Sequence, residues 1–282
     1  GAVNYLNSKP LIDGLQRLAP EIELSCDLPS RLADSLAAGR LEVALIPSIE
    51  YFHRQDYQIV SDACVACRGP VLSVRLHFRV PPAQVRRLAL DEGSRTSAVL
   101  AQILFREQLG VSPNCESLPI GCGTDDTDAD AVLLIGDRAM ASRERRVGSN
   151  ETSGSSLPAP CSFLETWDLG DRWCRWTGLP FVFAMWVARP GVDISAVETV
   201  LTETRDRGVT HLDEIAAAEA PLLGIDAECA RNYLRDNLHF VLTESEIRGL
   251  QRFGQLCQKH GFVSESSQRA LEQLDHHDCI TR

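Results

Sequence analysis

The 282-residue chain contains no apolar run of roughly 18 residues, the least a helix needs to cross a bilayer, so no membrane partner is expected. It shows no basic-then-apolar leader near its start, and it opens directly on an apolar stretch. Nor does it carry a basic stripe. Lys and Arg total 28 against 39 Asp and Glu, a net charge of −11, which argues against a nucleic acid or an anionic membrane as partner. An anionic small molecule stays possible, because such a ligand answers to local donors rather than to the overall field. The G-x-S-x-G elbow, the Walker A loop and the HExxH zinc motif are all absent. None of the seven histidines (His53, His77, His211, His239, His260, His276 and His277) falls in a strand-end motif, so no His-based acid–base machine is advertised.

Cysteine is plentiful, but its ten positions are scattered in a chain too large to need staples. They read as mostly buried small hydrophobes in a reducing cytoplasm. No metal site is expected. Cys64-x-x-Cys67 has no second pair at zinc spacing, and His276-His277-Asp278-Cys279 is a terminal tail. The acidic run DDTDAD after GCG (121–123) would repel phosphate and lacks EF-hand spacing.

What is present is ordinary globular material, 44% hydrophobic and 24% charged, at a length that suits two lobes or one large α/β domain. IELSCDL reads as a strand, Ser30 as the cap of a helix ended by Gly39, and VALI (43–46) as a second strand closed by Pro47. Short strands alternating with helices predict a parallel sheet covered on both faces. VLSVRLHFRV (71–80) alternates, RRLALDEG leads into a helix that stops at Gly110, and ADAVLLIGDRA (129–139) echoes LEVALIPSIE (41–50). GSNETSGSSLP (148–158), with its Asn150-Glu-Thr triplet, is a surface loop by composition. GLPFVFAMWVARPG (178–191) reads as a strand crossing back to the first lobe. Ser195 with Glu198, and Thr243 with Glu246, have capping-box spacing in a helical tail. The expected plan is lobe I from 1–85 and 186–282, and lobe II from 86–185, with a cleft between them.

Four strand-end stretches could carry chemistry. In SRTS, Ser94, Arg95, Thr96 and Ser97 stand between a strand and an amphipathic helix, where hydroxyls and orphan N–H groups make an anion site and Arg95 could grip a carboxylate. Plain capping with a solvated Arg fits as well. In VNYLNSKPL (3–11), Asn7 and Ser8 sit at a strand's carboxyl end, where open α/β folds gather ligands, although a simple turn cap would use the same residues. Ser48 in PSIEY, Asp137 in GDR and Ser73 in GPVLSVRL occupy comparable places, each with a structural alternative.

Taken in order, YLNSKPL, LIPSIEY, GPVLSVRL, LDEGSRTS, LLIGDRA and GLPFVFAMW resemble the MqnA family, chorismate dehydratases of the futalosine route to menaquinone. The resemblance spans nearly the whole chain. It implies an α/β fold of the two-lobed type II periplasmic-binding-protein kind, used by a cytoplasmic lyase that takes chorismate to 3-[(1-carboxyvinyl)oxy]benzoate without a cofactor. On this reading Asn7 and Ser73 are the catalytic contacts, and Ser8, Ser48, Ser94, Arg95, Thr96, Ser97 and Asp137 bind substrate. With no side-chain base in view, the substrate's own enolpyruvyl carboxylate is the expected proton acceptor. A sister family, 1,4-dihydroxy-6-naphthoate synthase, carries a motif like SPCPNDT and relies on a histidine, a pattern this chain does not follow. The competing class is a non-catalytic solute-binding protein that captures a small carboxylate between the same two lobes.

Overall fold

Apolar runs of five to ten residues separate into two sheets, each too hydrophobic on its faces to stand without helices laid against it. The structure, a computed structural model, describes residues 1–140, 163–264 and 267–277. The expected loop at 148–158 with Asn150, and the side chains of the tail at 276–279, lie outside the described residues.

The strands are β1 (Ala2–Val3), β2 (Cys26–Asp27), β3 (Val43–Pro47), β4 (Gln58–Cys67), β5 (Val74–Phe78), β6 (Arg87–Asp91), β7 (Asn114–Leu118), β8 (Ala131–Ile135), β9 (Glu165–Asp168), β10 (Phe181–Ala188) and β11 (His239–Val241). The first sheet runs β11-β4-β10-β3. The β1–β2 pair joins its edge through Gly1, whose backbone bonds Val43 and Leu45. The second sheet runs β7-β6-β8-β5-β9.

Neither sheet is purely parallel. β10 lies antiparallel between β3 and β4, and β5 pairs antiparallel with β8 and β9, while β6 is parallel to β7 and β8. The cause is topological: a strand entering from the other lobe runs against the strands already there. Sheet membership also moves the lobe boundaries expected at 85 and 185. β5 already belongs to the second sheet and all of β10 to the first, so the chain crosses at 68–73 and again at 178–180.

The helices packed on these sheets begin with α1 (Leu15–Leu18), α2 (Pro29–Ala37), α3 (Ser48–His53), α4 (Thr96–Leu104) and α5 (Leu169–Thr177). Then follow α6 (Ser195–Thr210), α7 (Leu212–Leu223), α8 (Ala227–Asn232), α9 (Glu244–Lys259) and α10 (Gln268–His277). α2 starts at Pro29 with no side-chain cap, so Ser30 does not cap it; α6 likewise lacks the expected Ser195 box. The Thr243–Glu246 box is present. α4 runs on through a π turn to Gly110, whose φ of 66° ends it. Around the return segment, Trp173 and Phe253 each meet Phe181 edge to face at 5.1 Å, an arrangement aromatic quadrupoles favour. Of the eight described cysteines only Cys64, Cys67 and Cys257 are buried, so most are not the core residues that composition suggested.

The first lobe's opening segment is short. β1 gives way to a 3-10 helix, Leu6–Leu11, with Pro10 inside it. This helix lies against α6 at Gly208, where a Cβ would sit 1.9 Å from the Pro10 carbonyl oxygen. Ala normally gains about 1 kcal/mol over Gly inside a helix. Here the obstacle is backbone, so Gly208→Ala is expected to destabilise the protein by about 1–3 kcal/mol. Chemical unfolding measures the change, and a stabilised variant would contradict this packing.

Candidate functional site

A buried carboxylate organises the second lobe's side of the cleft. Asp91, at the end of β6, is 1% exposed and accepts hydrogen bonds from the N–H of Gly93 (3.0 Å) and of Ile135 (3.2 Å). Arg138 pairs with it at 2.5 Å. Burial pushes the Asp91 carboxyl upward, and the Arg138 charge and the two backbone donors oppose that shift. The result is a fixed turn, residues 92–95, feeding α4. The unsatisfied N–H groups of the first turn of α4 point to its N-terminal end, where the helix dipole is positive.

That end opens on a cleft between the sheets. Its polar lining is Tyr5, Asn7, Ser73, Ser94, Arg95, Thr96 and Ser97; Val71, Pro47 and Phe183 are among the apolar walls. The Ser94 hydroxyl oxygen is buried with no hydrogen-bond partner among the described residues. A buried polar group left open in this way is what a ligand oxygen would satisfy.

Ser73 sits where the chain crosses between lobes. Leu72 before it has φ +60°, a left-handed conformation that costs a non-glycine residue roughly 1–2 kcal/mol. The Asp168 carboxylate holds this kink by accepting from the N–H of Val71 (3.0 Å) and Leu72 (2.7 Å). The Ser73 carbonyl in turn accepts from Gly136 N–H at 2.8 Å. Gly136 itself has φ +63°, and a Cβ there would lie 3.0 Å from the Tyr5 ring. The first lobe's Tyr5 therefore packs on the second lobe through a glycine. Burial first, then the Asp91 charge, raises its phenol to about 12, so Tyr5 stays protonated at neutral pH.

Of nine residues singled out in the sequence, six line this one cleft: Asn7, Ser73, Ser94, Arg95, Thr96 and Ser97. Three do not. Ser8 is fully buried and donates to the carbonyls of Val3 and Tyr5, fastening the turn from β1. Ser48, also fully buried, donates to Val182 at 2.7 Å. Asp137 points across to the first lobe and accepts from Leu6 N–H at 3.1 Å, which caps the 3-10 helix carrying Asn7.

Arg95 lines the cleft, yet its terminal nitrogens are committed to Asp34 (2.7 Å) and Glu50 (3.0 Å), both from the first lobe. Burial alone would raise the Glu50 carboxyl, but His53 and Arg95 outweigh it and hold it below the usual value. Arg95 is thus a strut between lobes rather than a free carboxylate grip. Thr96 does the same work with its hydroxyl, accepting from Ile49 N–H at 3.2 Å. Sequence reasoning missed Tyr5, Gly136 and Tyr233, whose phenol donates to Ser73 Oγ at 2.8 Å. Tyr5 lay inside a quoted motif; Tyr233 gave no local signal.

A family model described as menaquinone biosynthesis matches residues 1–259. The chain is 33% identical over 230 residues to the chorismate dehydratase of Thermus thermophilus, covering 81% of this chain and 84% of that protein. It is 24% identical over 254 residues to the chorismate dehydratase of Campylobacter jejuni, covering 90% of each. Among solved structures it resembles protein AF1704 from Archaeoglobus fulgidus, with TM-score 0.70, 15% identity and 93% and 97% of the two chains covered. It also resembles the periplasmic aliphatic sulphonate binding protein SsuA from Escherichia coli, with TM-score 0.59, 15% identity and coverage of 93% and 87%. The fold is that of the two-lobed periplasmic binding proteins.

Two outcomes follow from the bonds between lobes. Burial raises Asp137 from 3.8 to about 6, opposed by the Leu6 N–H and by Lys9 and reinforced by Glu219. A carboxyl raised in this way favours folding below its unfolded value and loses that contribution as pH climbs through about 6. Asp137→Asn keeps an acceptor for Leu6, so its stability relative to wild type should grow between pH 4 and pH 8 by up to about 3 kcal/mol. Urea unfolding at both pH values reads this, and a pH-independent difference would refute it. For the strut, Arg95→Ala and Glu50→Gln should each increase the radius of gyration in small-angle scattering. Unchanged radii would mean that the pair does not hold the lobes together.

Proposed function

The chain belongs to the menaquinone biosynthesis family, and from that premise we propose that it is a lyase that dehydrates chorismate to 3-[(1-carboxyvinyl)oxy]benzoate. The observation that carries this reading is the character of the cleft. Its polar lining consists of hydroxyls, one amide, one already paired guanidinium and the N-terminal end of α4, with no carboxylate, His or Lys among the described residues that line it. Such a site suits a dianion held by hydrogen-bond donors, whose reaction asks the protein to orient and to stabilise developing charge.

The chemistry divides as follows. One substrate carboxylate lies at the first turn of α4, against the N–H groups there and the open Ser94 hydroxyl. The ring carbon bearing the enolpyruvyl ether loses its proton to the substrate's own enolpyruvyl carboxylate. The electron pair of that C–H bond becomes the new ring double bond, and the neighbouring hydroxyl leaves, so that proton and hydroxide together make one water. Aromatisation supplies the drive. Asn7 and Ser73 hold the leaving hydroxyl, Asn7 from the 3-10 helix of the first lobe and Ser73 from the crossing segment. Tyr5 stays protonated at neutral pH and so offers no phenolate as a base, and its ring closes the first lobe onto Gly136. This reading carries with it a cytoplasmic location and no need of a cofactor.

The absence of histidine from the described cleft lining favours this reading over the sister naphthoate synthase, which the sequence motifs also disfavour. The test is incubation of the purified protein with chorismate, following loss of substrate and appearance of the aromatic enolpyruvyl product by chromatography and mass spectrometry. Turnover is expected, with Asn7→Ala lowering kcat about 10²–10³-fold, as for loss of a charge-stabilising donor. Binding without turnover would assign the chain to the solute-binding class instead.

A further inference from the structure

α8 does not end where its α-helical bonding ends. It continues as a π turn, Tyr233–Asn237, a rare local geometry often found at functional sites. The turn touches the crossing segment at two points. Asn237 Nδ2 donates to the Pro70 carbonyl at 2.8 Å, and Tyr233 Oη donates to Ser73 Oγ at 2.8 Å. The Tyr233 side chain is buried, 1% exposed, and does not reach the cleft surface itself.

We propose that Tyr233 is a positioning residue that orients the Ser73 hydroxyl as a donor into the cleft. The count of hydrogens at the phenol sets the direction of its bond. A phenol has one hydrogen, and Tyr233 spends it on Ser73. Ser73, having accepted from Tyr233, keeps its own hydrogen free for the cleft. Tyr233 sits some 160 positions from Ser73 in sequence, so only the tertiary fold creates this link.

The inference rests on the chorismate reading, and the experiment separates the two. Wild type, Tyr233→Phe, Ser73→Ala and the double variant are compared in chorismate turnover, with melting temperature measured alongside. Phe keeps the buried ring and removes only the hydroxyl. Tyr233→Phe is expected to lower kcat about 10- to 100-fold while KM stays within about twofold and the melting temperature within a few degrees. The double variant should be no slower than Ser73→Ala alone, because Tyr233 acts through Ser73. Turnover by Tyr233→Phe equal to wild type, or losses that multiply in the double variant, would overturn the inference while leaving the chorismate reading intact. A wild type that binds chorismate without converting it would overturn both.

Discussion

The cleft depends on one buried carboxylate. A charge removed from water is tolerated only when fully paired, and Asp91 meets that demand with two backbone N–H groups and Arg138. Those same bonds fasten the turn before α4 to the end of β8. From there a continuous path runs through Gly136 N–H to the Ser73 carbonyl, and from the Ser73 hydroxyl to Tyr233. Asp137, next to Gly136, holds the Leu6 N–H and so the start of the helix on which Asn7 rides. The site is therefore not a set of side chains placed on a scaffold. It is a network of backbone and side-chain bonds in which each lobe fixes part of the other.

Much of this was legible because strand ends and turns announce themselves locally. Hydroxyls after LALD, and Asn7 after the opening apolar residues, stand where an α/β fold presents ligands, and the structure brings them to a single cleft. Ser8 and Ser48 had the same local signature, but a serine next to a free carbonyl bonds it first, and both turn inward. Arg95 could not be assigned from its neighbours in sequence, since its partners Asp34 and Glu50 come from distant elements. Tyr233 was invisible for the same reason. The mixed strand directions and the true crossing points also depend on long-range pairing: β5 reads equally well as the end of one lobe or the start of the next.

The fold gives this site its economy. The cleft lies between two sheets, with the N-terminal end of α4 at its wall. On the chorismate reading, a dehydration that makes an aromatic ring asks little more of such a cleft than fixed donors and exclusion of water. The strain at Leu72, where a left-handed residue is held by Asp168, is the local cost of aiming Ser73 into the space between the lobes.

The most direct measurement is a structure of the Asn7→Ala variant with chorismate bound. The account places one substrate carboxylate at the N–H groups of Thr96 and Ser97 and the Ser94 hydroxyl, with the ring hydroxyl facing Ser73 and Arg95 still paired to Asp34 and Glu50. Chorismate bound elsewhere, or a guanidinium released from its carboxylates to grip the substrate, would contradict it.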